Sequence, residues 1–457
     1  MHPNAVLNQA RRHHRAGRWR AALEAYCSLP TPPPALQPDD ALAIANCHLH
    51  LGETAQARNE LKTLAAAHPD YWPAYYNLGL IAEQAGDRGT ALACYRRAVQ
   101  AAPANGEVWQ KLASTQHFTR HDDPDLVMML DCMKRCRDEE GRERLHFALA
   151  KAYDDLDEPA SAMSHLVAAH RLKQRHLQPF DLTGAVQRMQ AIATAFTTLP
   201  PCWPGPGPLF IIGMPRTGTT LLERMLGRHP KITALGERPW FNDQIWSVFP
   251  AFPHDIAPSA AVQFKAFGQR AREYYSSLAL TPWFTDKFPG NFIYLGLIAT
   301  VLPESRFIYL DRDPRDACLS IYQQDFDRGH PYAHRLEDLV RYWQAHSALM
   351  QHWFTIAGDR LHRVEYETLC NTPEVALREL CAWFGAIYDP NMLDFHHSPD
   401  VVKTASQWQV REPLHQRSIG RWRKYAPWLQ PLIHTFGNDD TPIVAPPTFD
   451  QARRTKQ

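Results

Sequence analysis

At 457 residues the chain exceeds what one ordinary core organises, so two or three domains are expected. A formal charge of +1, from 49 basic and 48 acidic residues, excludes the basic stripe of a nucleic-acid binder. The 9 cysteines are scattered with no CxxC, which argues against a disulfide framework and a zinc site and fits a reducing cytoplasm. No stretch approaches the roughly 20 apolar residues of a membrane span. The segment Met1 to Arg20 is rich in His and Arg without an apolar core, so the sequence predicts neither signal peptide nor anchor.

The first predicted elements are helical repeats. Over 72–105, Tyr75, Leu78, Gly79, Ala82, Ala91, Tyr95, Ala98 and Pro103 occupy the apolar, small and breaker positions of a helix-turn-helix unit of about 34 residues. Ala57, Leu61, Leu64 and Pro69 repeat its second half one period earlier, and Gly17, Ala22 and Tyr26 mark a still earlier copy. A weaker copy runs from Trp109 and Leu112, where Asp125 replaces the small contact residue, and Leu149, Ala150, Tyr153, Ala162 and Ala169 point to one more. These segments resemble tetratricopeptide repeats. Stacked helix pairs bury the apolar face that each leaves uncovered, so residues 1–176 are expected to form an all-α solenoid. Such a solenoid serves to bind a peptide, to pair two copies of the chain or as a rigid spacer.

An amphipathic helix over 183–197 and the Pro/Gly-rich stretch Leu199–Pro208 then form a connector, 177–208. Beyond it, strand-like runs at 209–212, 283–285, 306–310 and 362–364 alternate with helical patterns near 218–228, 258–279, 291–301, 314–325, 335–357 and 373–384. This predicts a P-loop-like α/β domain with a central parallel sheet over 209–440, then a tail, 441–457.

Gly213-Met-Pro-Arg-Thr-Gly-Thr-Thr220 lies between the first of these strands and its helix. Its glycines allow inward-turned N–H groups, and the helix start adds a positive dipole end, so an oxyanion is the expected guest. Thr219 stands where a triphosphatase carries its lysine, and Arg216 supplies a permanently charged planar fork that needs no metal. A second strand-to-helix passage, Leu310-Asp-Arg-Asp-Pro-Arg-Asp-Ala-Cys-Leu-Ser320, puts Arg312 at a strand end and Ser320 two helical turns on. Ligands gather at the carboxyl ends of parallel strands, which makes these two residues a second anion site.

Together the two segments resemble the sulfotransferase superfamily that uses 3′-phosphoadenylyl sulfate. The likeness runs from about Leu209 to Trp428, and fusion to tetratricopeptide repeats is a familiar arrangement in its bacterial members. The resemblance implies that Arg216, Thr217, Gly218, Thr219 and Thr220 bind the 5′-phosphosulfate, that Arg312 and Ser320 bind the 3′-phosphate, and that no metal is required. Glu237, in Leu-Gly-Glu-Arg at the next strand end, is similar to the catalytic glutamate of tyrosylprotein sulfotransferases and is the candidate general base. Lys287 resembles the lysine of the family's NKxP-like segment, with Asp286 in place of the usual asparagine, and with Arg216 completes the predicted catalytic set. Ser406 and Arg421 lie in stretches similar to the segment that folds over the nucleotide. Tyr366 reads either as a nucleotide contact or as a buried structural tyrosine. The acceptor is a hydroxyl of a protein tyrosine, a carbohydrate or a small molecule. A scaffold that has lost activity and a magnesium-dependent kinase are the competing readings; the intact motif residues speak against the first, and the missing loop lysine against the second.

Overall fold

The computed structural model describes residues 3–29, 36–256, 261–326, 329–397 and 408–438. The chain divides into one unit from Met1 to His176 and another that begins at Leu177.

The first unit is helical: α1 (Pro3–Arg15), α2 (Trp19–Cys27), α3 (Pro38–His50), α4 (Thr54–Ala67), α5 (Trp72–Ala85), α6 (Arg88–Ala101), α7 (Gly106–Thr115), α8 (Pro124–Arg135), α9 (Glu139–Asp155) and α10 (Pro159–His176). The pair α5 and α6 shows why the repeat pattern works. A Cβ on Gly79 would lie 2.5 Å from the Tyr95 ring, so only glycine admits that ring between the helices. Ala91, Tyr95 and Ala98 are wholly buried, and the Tyr95 hydroxyl donates to Glu83 at 2.6 Å. The turn is made by Gly86, left-handed at φ 79°, followed by Asp87, whose carboxylate caps α6 through the Thr90 N–H at 3.0 Å.

The copy built on α7 and α8 departs from this plan. Asp125, at the small-contact position, is buried and accepts from Arg96 Nε at 3.0 Å, while Gln116 bridges Arg96 and Asp123 at 2.8 and 2.9 Å. A carboxylate that must keep hydrogen-bond partners cannot serve as a flat crossing point. α7 instead packs along α9, where a Cβ on Gly106 would come 2.2 Å from the Gly141 carbonyl oxygen.

The second unit opens with α11 (Leu182–Ala195), which lies along α17 (Leu336–Ala357); there Phe196 meets Trp353 edge-on and its carbonyl pairs with His352 at 2.7 Å. The Pro-rich stretch is fastened to the same unit, since Trp203 N–H donates to Pro303 O and Arg360 donates to Pro201 O. The strands β1 (Pro208–Gly213), β2 (Ile232–Ala234), β3 (Trp283–Asp286), β4 (Arg306–Asp311) and β5 (Leu361–Glu365) form a parallel sheet in the order β2-β3-β1-β4-β5. β1 is buried throughout and reads accordingly as a continuous apolar run. Around the sheet are α12 (Thr219–Gly227), α13 (Trp240–Gln244), α14 (Ala261–Ser276), α15 (Leu295–Val301), α16 (Pro314–Tyr322), α18 (Tyr366–Asn371), α19 (Pro373–Phe384), α20 (Trp422–Tyr425) and α21 (Gln430–Phe436). The helix expected over 291–301 is split, because Pro289-Gly290 starts a short 3-10 turn through Ile293 before α15 begins. From β1 the chain leaves toward β2 on one side and later crosses to β4 on the other. That reversal opens a crevice at the carboxyl ends of the strands around β1.

Candidate active site at the carboxyl edge of the sheet

The loop leaving β1 takes left-handed backbone at Arg216 (φ 65°) and Gly218 (φ 99°). For a non-glycine residue this costs about 1–2 kcal/mol, and such strain gathers where function requires a particular backbone path. At Gly218 a side chain is barred outright, since a Cβ would lie 2.5 Å from the Tyr366 ring. Thr217 closes the loop by donating to Met214 O at 2.8 Å. Thr219 and Thr220 begin α12, where the first N–H groups have no acceptor within the helix.

Arg216 reaches across to α16 and donates from Nε to Ser320 Oγ at 3.0 Å. Arg312, leaving β4, donates to Arg216 O at 2.7 Å and to Ser418 O at 2.6 Å, with its guanidinium 4.5 Å from the centre of the Tyr366 ring. Its Nε is buried and has no hydrogen-bond partner among the described residues. Burial, together with the fields of Arg312 and Arg421, pushes the Arg216 pKa down to about 10. Three guanidiniums thus share one field. The segment carrying Arg421 is latched by Asp316, whose carboxylate accepts the N–H groups of Gly420 at 2.6 Å and Trp422 at 2.8 Å. Trp422 is buried and stacks on the Arg315 guanidinium, so it packs.

The ends of β2 and β3 carry the opposite character. Lys287 Nζ donates to Glu237 Oε1 at 2.6 Å; the lysine side chain is 2% exposed and the glutamate 45%. The main chain around the pair is tied by the Lys287 N–H to Gly236 O at 3.0 Å. Beneath it, Glu223 Oε1 accepts both the Gly236 N–H and the Thr285 hydroxyl at 2.9 Å. Burial raises the Glu223 pKa, against the pull of Lys287. Asp286, also buried, accepts from the N–H groups of Arg238 and Phe288 and from the Tyr275 hydroxyl. His330 lies within the field of Glu237; burial nevertheless pushes its pKa down to about 4, and Nδ1 is paired with Tyr332 OH at 2.9 Å.

The strand ends therefore bring together Arg216, Arg312, Ser320, Tyr366 and Arg421 on one side and Glu237 with Lys287 on the other. Tyr366 is buried, with its pKa pushed up to about 12 chiefly by burial, and its ring lies against the Arg312 guanidinium. Ser406 lies outside the described residues. Glu223 and His330 escaped the sequence reading. The one signal for Glu223 was a carboxylate inside the apolar run of α12, and nothing near His330 marked it. Among the described residues no group of three or more His, Cys, Asp or Glu is disposed to hold a metal, and no helix is long and apolar enough to cross a membrane.

Residues 208–390 match the sulfotransferase family and residues 72–115 the tetratricopeptide repeat. An uncharacterized protein of Aquifex aeolicus is 32% identical over 245 residues, 50% of this chain and 32% of its own, so the chain spans about a third of that relative. Protein-tyrosine sulfotransferase 2 of Gallus gallus is 23% identical over 278 residues, covering 53% of this chain and 71% of that one. Among solved structures, the sulfotransferase domain of the Synechococcus PCC 7002 olefin synthase is similar over 53% of this chain and 98% of its own, at a TM-score of 0.38 and 21% identity.

Proposed function

We propose that this chain, whose residues 208–390 match the sulfotransferase family, moves a sulfonate from 3′-phosphoadenylyl sulfate to an acceptor hydroxyl. The donor would supply an activated sulfonate and a stable phosphate leaving group. The observation that carries the reading is the Glu237–Lys287 pair at 2.6 Å, on the same edge of the sheet as the guanidiniums of Arg216, Arg312 and Arg421, which act on one another electrostatically. A doubly anionic guest fits those arginines: it relieves the mutual repulsion that depresses Arg216 and offers an acceptor to the unpartnered Nε of Arg312. The N–H groups at the start of α12 add donors for the phosphosulfate.

Glu237 takes the acceptor proton, its Oε2 lying free of partners among the described residues while Oε1 is held by Lys287. The lysine, nearly dry, offers a concentrated positive charge where negative charge develops on the transferring group. The repeat unit docks a peptide or protein acceptor. The protein-tyrosine sulfotransferases among the relatives favour a tyrosine phenol as that acceptor. Incubation with sulfur-labelled donor and a cell extract tests the whole reading: label in protein is expected, label only in glycan or small molecules moves the acceptor class, and no transfer at all rejects it.

A further inference from the structure

The ladder between β2 and β3 is short. It pairs Ile232 with Trp283, Thr233 with Phe284 and Ala234 with Thr285, and two further main-chain bonds, Leu235 N–H to Thr285 O and Lys287 N–H to Gly236 O, extend it to the site. Glu237 and Lys287 therefore sit at or beyond the last rung, where two chain ends are free to separate unless something else joins them. Asp286 does so. Its Oδ1 accepts the N–H of Arg238, the residue after Glu237, at 3.3 Å and the N–H of Phe288, the residue after Lys287, at 3.1 Å. Its other oxygen accepts from Tyr275 OH on α14, and the side chain is wholly buried.

We infer that Asp286 is a positioning residue: one buried carboxylate that fixes the distance between Glu237 and Lys287 by holding the main chain immediately after each. The inference rests on the transfer reading above for its effect on rate, but not for the brace itself. The charged and titratable groups acting on Asp286 are Tyr275 from α14 and Glu223 from α12, while the two strand ends meet it through the backbone N–H groups of Arg238 and Phe288. Burial dominates among these influences and places the Asp286 pKa near 7, so both protonation states are populated near neutrality. The ionised form holds two N–H groups more tightly than the neutral acid, because charge-assisted hydrogen bonds are the stronger ones.

Asp286→Ala and Asp286→Asn, compared with the intact chain, test this. In D286A the amides of Arg238 and Phe288 should exchange with solvent about tenfold faster or more, and kcat should fall by at least about tenfold. Affinity for 3′-phosphoadenosine 5′-phosphate should stay within about twofold, since the arginines lie on other strands. D286N keeps an oxygen for both N–H groups and should restore most of kcat, while removing the limb near neutral pH from the kcat profile. Where D286A fails to fold, Tyr275→Phe serves instead: losing a donor to the carboxylate should move that limb to higher pH. Unchanged exchange in a folded D286A, a D286N as slow as D286A, or a limb indifferent to D286N and Y275F would overturn the inference. Absence of sulfonate transfer by the unaltered chain would reject the proposed function, while the exchange rates would still judge the brace.

Discussion

The ends of β1, β4 and β5 and the ends of β2 and β3 solve different electrostatic problems on one edge of one sheet. On the first side the guanidiniums of Arg216 and Arg312 lie beside the loop 214–218, held by carbonyl oxygens and a serine hydroxyl, with a buried Nε left over. On the second, Glu237 pairs with the buried Lys287, while the carboxylates of Glu223 and Asp286 accept the main-chain N–H groups of Gly236, Arg238 and Phe288 around the pair. The first arrangement is poised to gain by taking up an anion. The second is organised to keep Glu237 and Lys287 in place, so the two arrangements match what the proposed binding and proton transfer would respectively require.

Substitutions that separate affinity from rate are the sharpest way to break this contrast. Glu237→Gln is expected to lower kcat about 10²–10⁴-fold while calorimetry with 3′-phosphoadenosine 5′-phosphate shows affinity within about twofold of the intact chain; equal loss of both would merge the two halves. Arg312→Ala should do the reverse. Removing charge-assisted bonds of about 1.5–3 kcal/mol weakens nucleotide binding roughly ten- to 150-fold, and unchanged affinity in the same titration would remove Arg312 from the donor side.

Acid should act with opposite sign on two buried groups, one in the core behind β4 and one at the end of β3. His346, wholly buried among Phe292, Tyr309 and Trp343, has its pKa pushed by burial to about 3, so it is neutral in the fold. The stability this confers is complete above the ordinary histidine value near 6.5 and is lost as pH falls from there toward 3, at up to about 1.4 kcal/mol per pH unit. Asp286 is raised from 3.8 to about 7, so its contribution is complete below 3.8 and is lost as pH rises through 7. Melting curves should therefore show His346→Phe gaining over the intact chain at pH 5 more than at pH 8, and D286N gaining at pH 8 more than at pH 5. The smallest effect expected is that of Ser320→Ala, which removes one hydrogen bond to Arg216. About 0.5–1.5 kcal/mol corresponds to a roughly two- to tenfold weaker nucleotide, with kcat at saturation little changed.

Much of this was legible from local sequence. The loop glycines, Arg216, Arg312 and Ser320 announce themselves because strand, turn and helix follow one another within a few residues, and β1 reads as a continuous apolar run. The repeat at α5 and α6 was equally plain, since Gly79 and Tyr95 lie at fixed spacing on adjacent helices. What sequence could not show is contact across long separations: Glu223 reaching Thr285, Asp286 joining Arg238 to Phe288, Tyr366 closing over Gly218, and α7 turning from α8 to α9 through Gly106 and Gly141. Asp286 was visible only as a departure from the family asparagine. Its meaning lay in partners that folding supplies.

The carboxylate of Asp316 gives the strand-to-helix motif custody of a stretch of chain more than a hundred residues downstream. Because the same stretch carries Arg421 into the field of Arg216 and the Ser418 carbonyl to Arg312, binding of an anion by the arginine cluster and the seating of residues 418–422 should be thermodynamically linked. A protease that nicks this stretch in the free chain should be slowed by saturating nucleotide, and Asp316→Asn, with one acceptor oxygen where there were two, should leave the stretch open to cleavage even when nucleotide is bound.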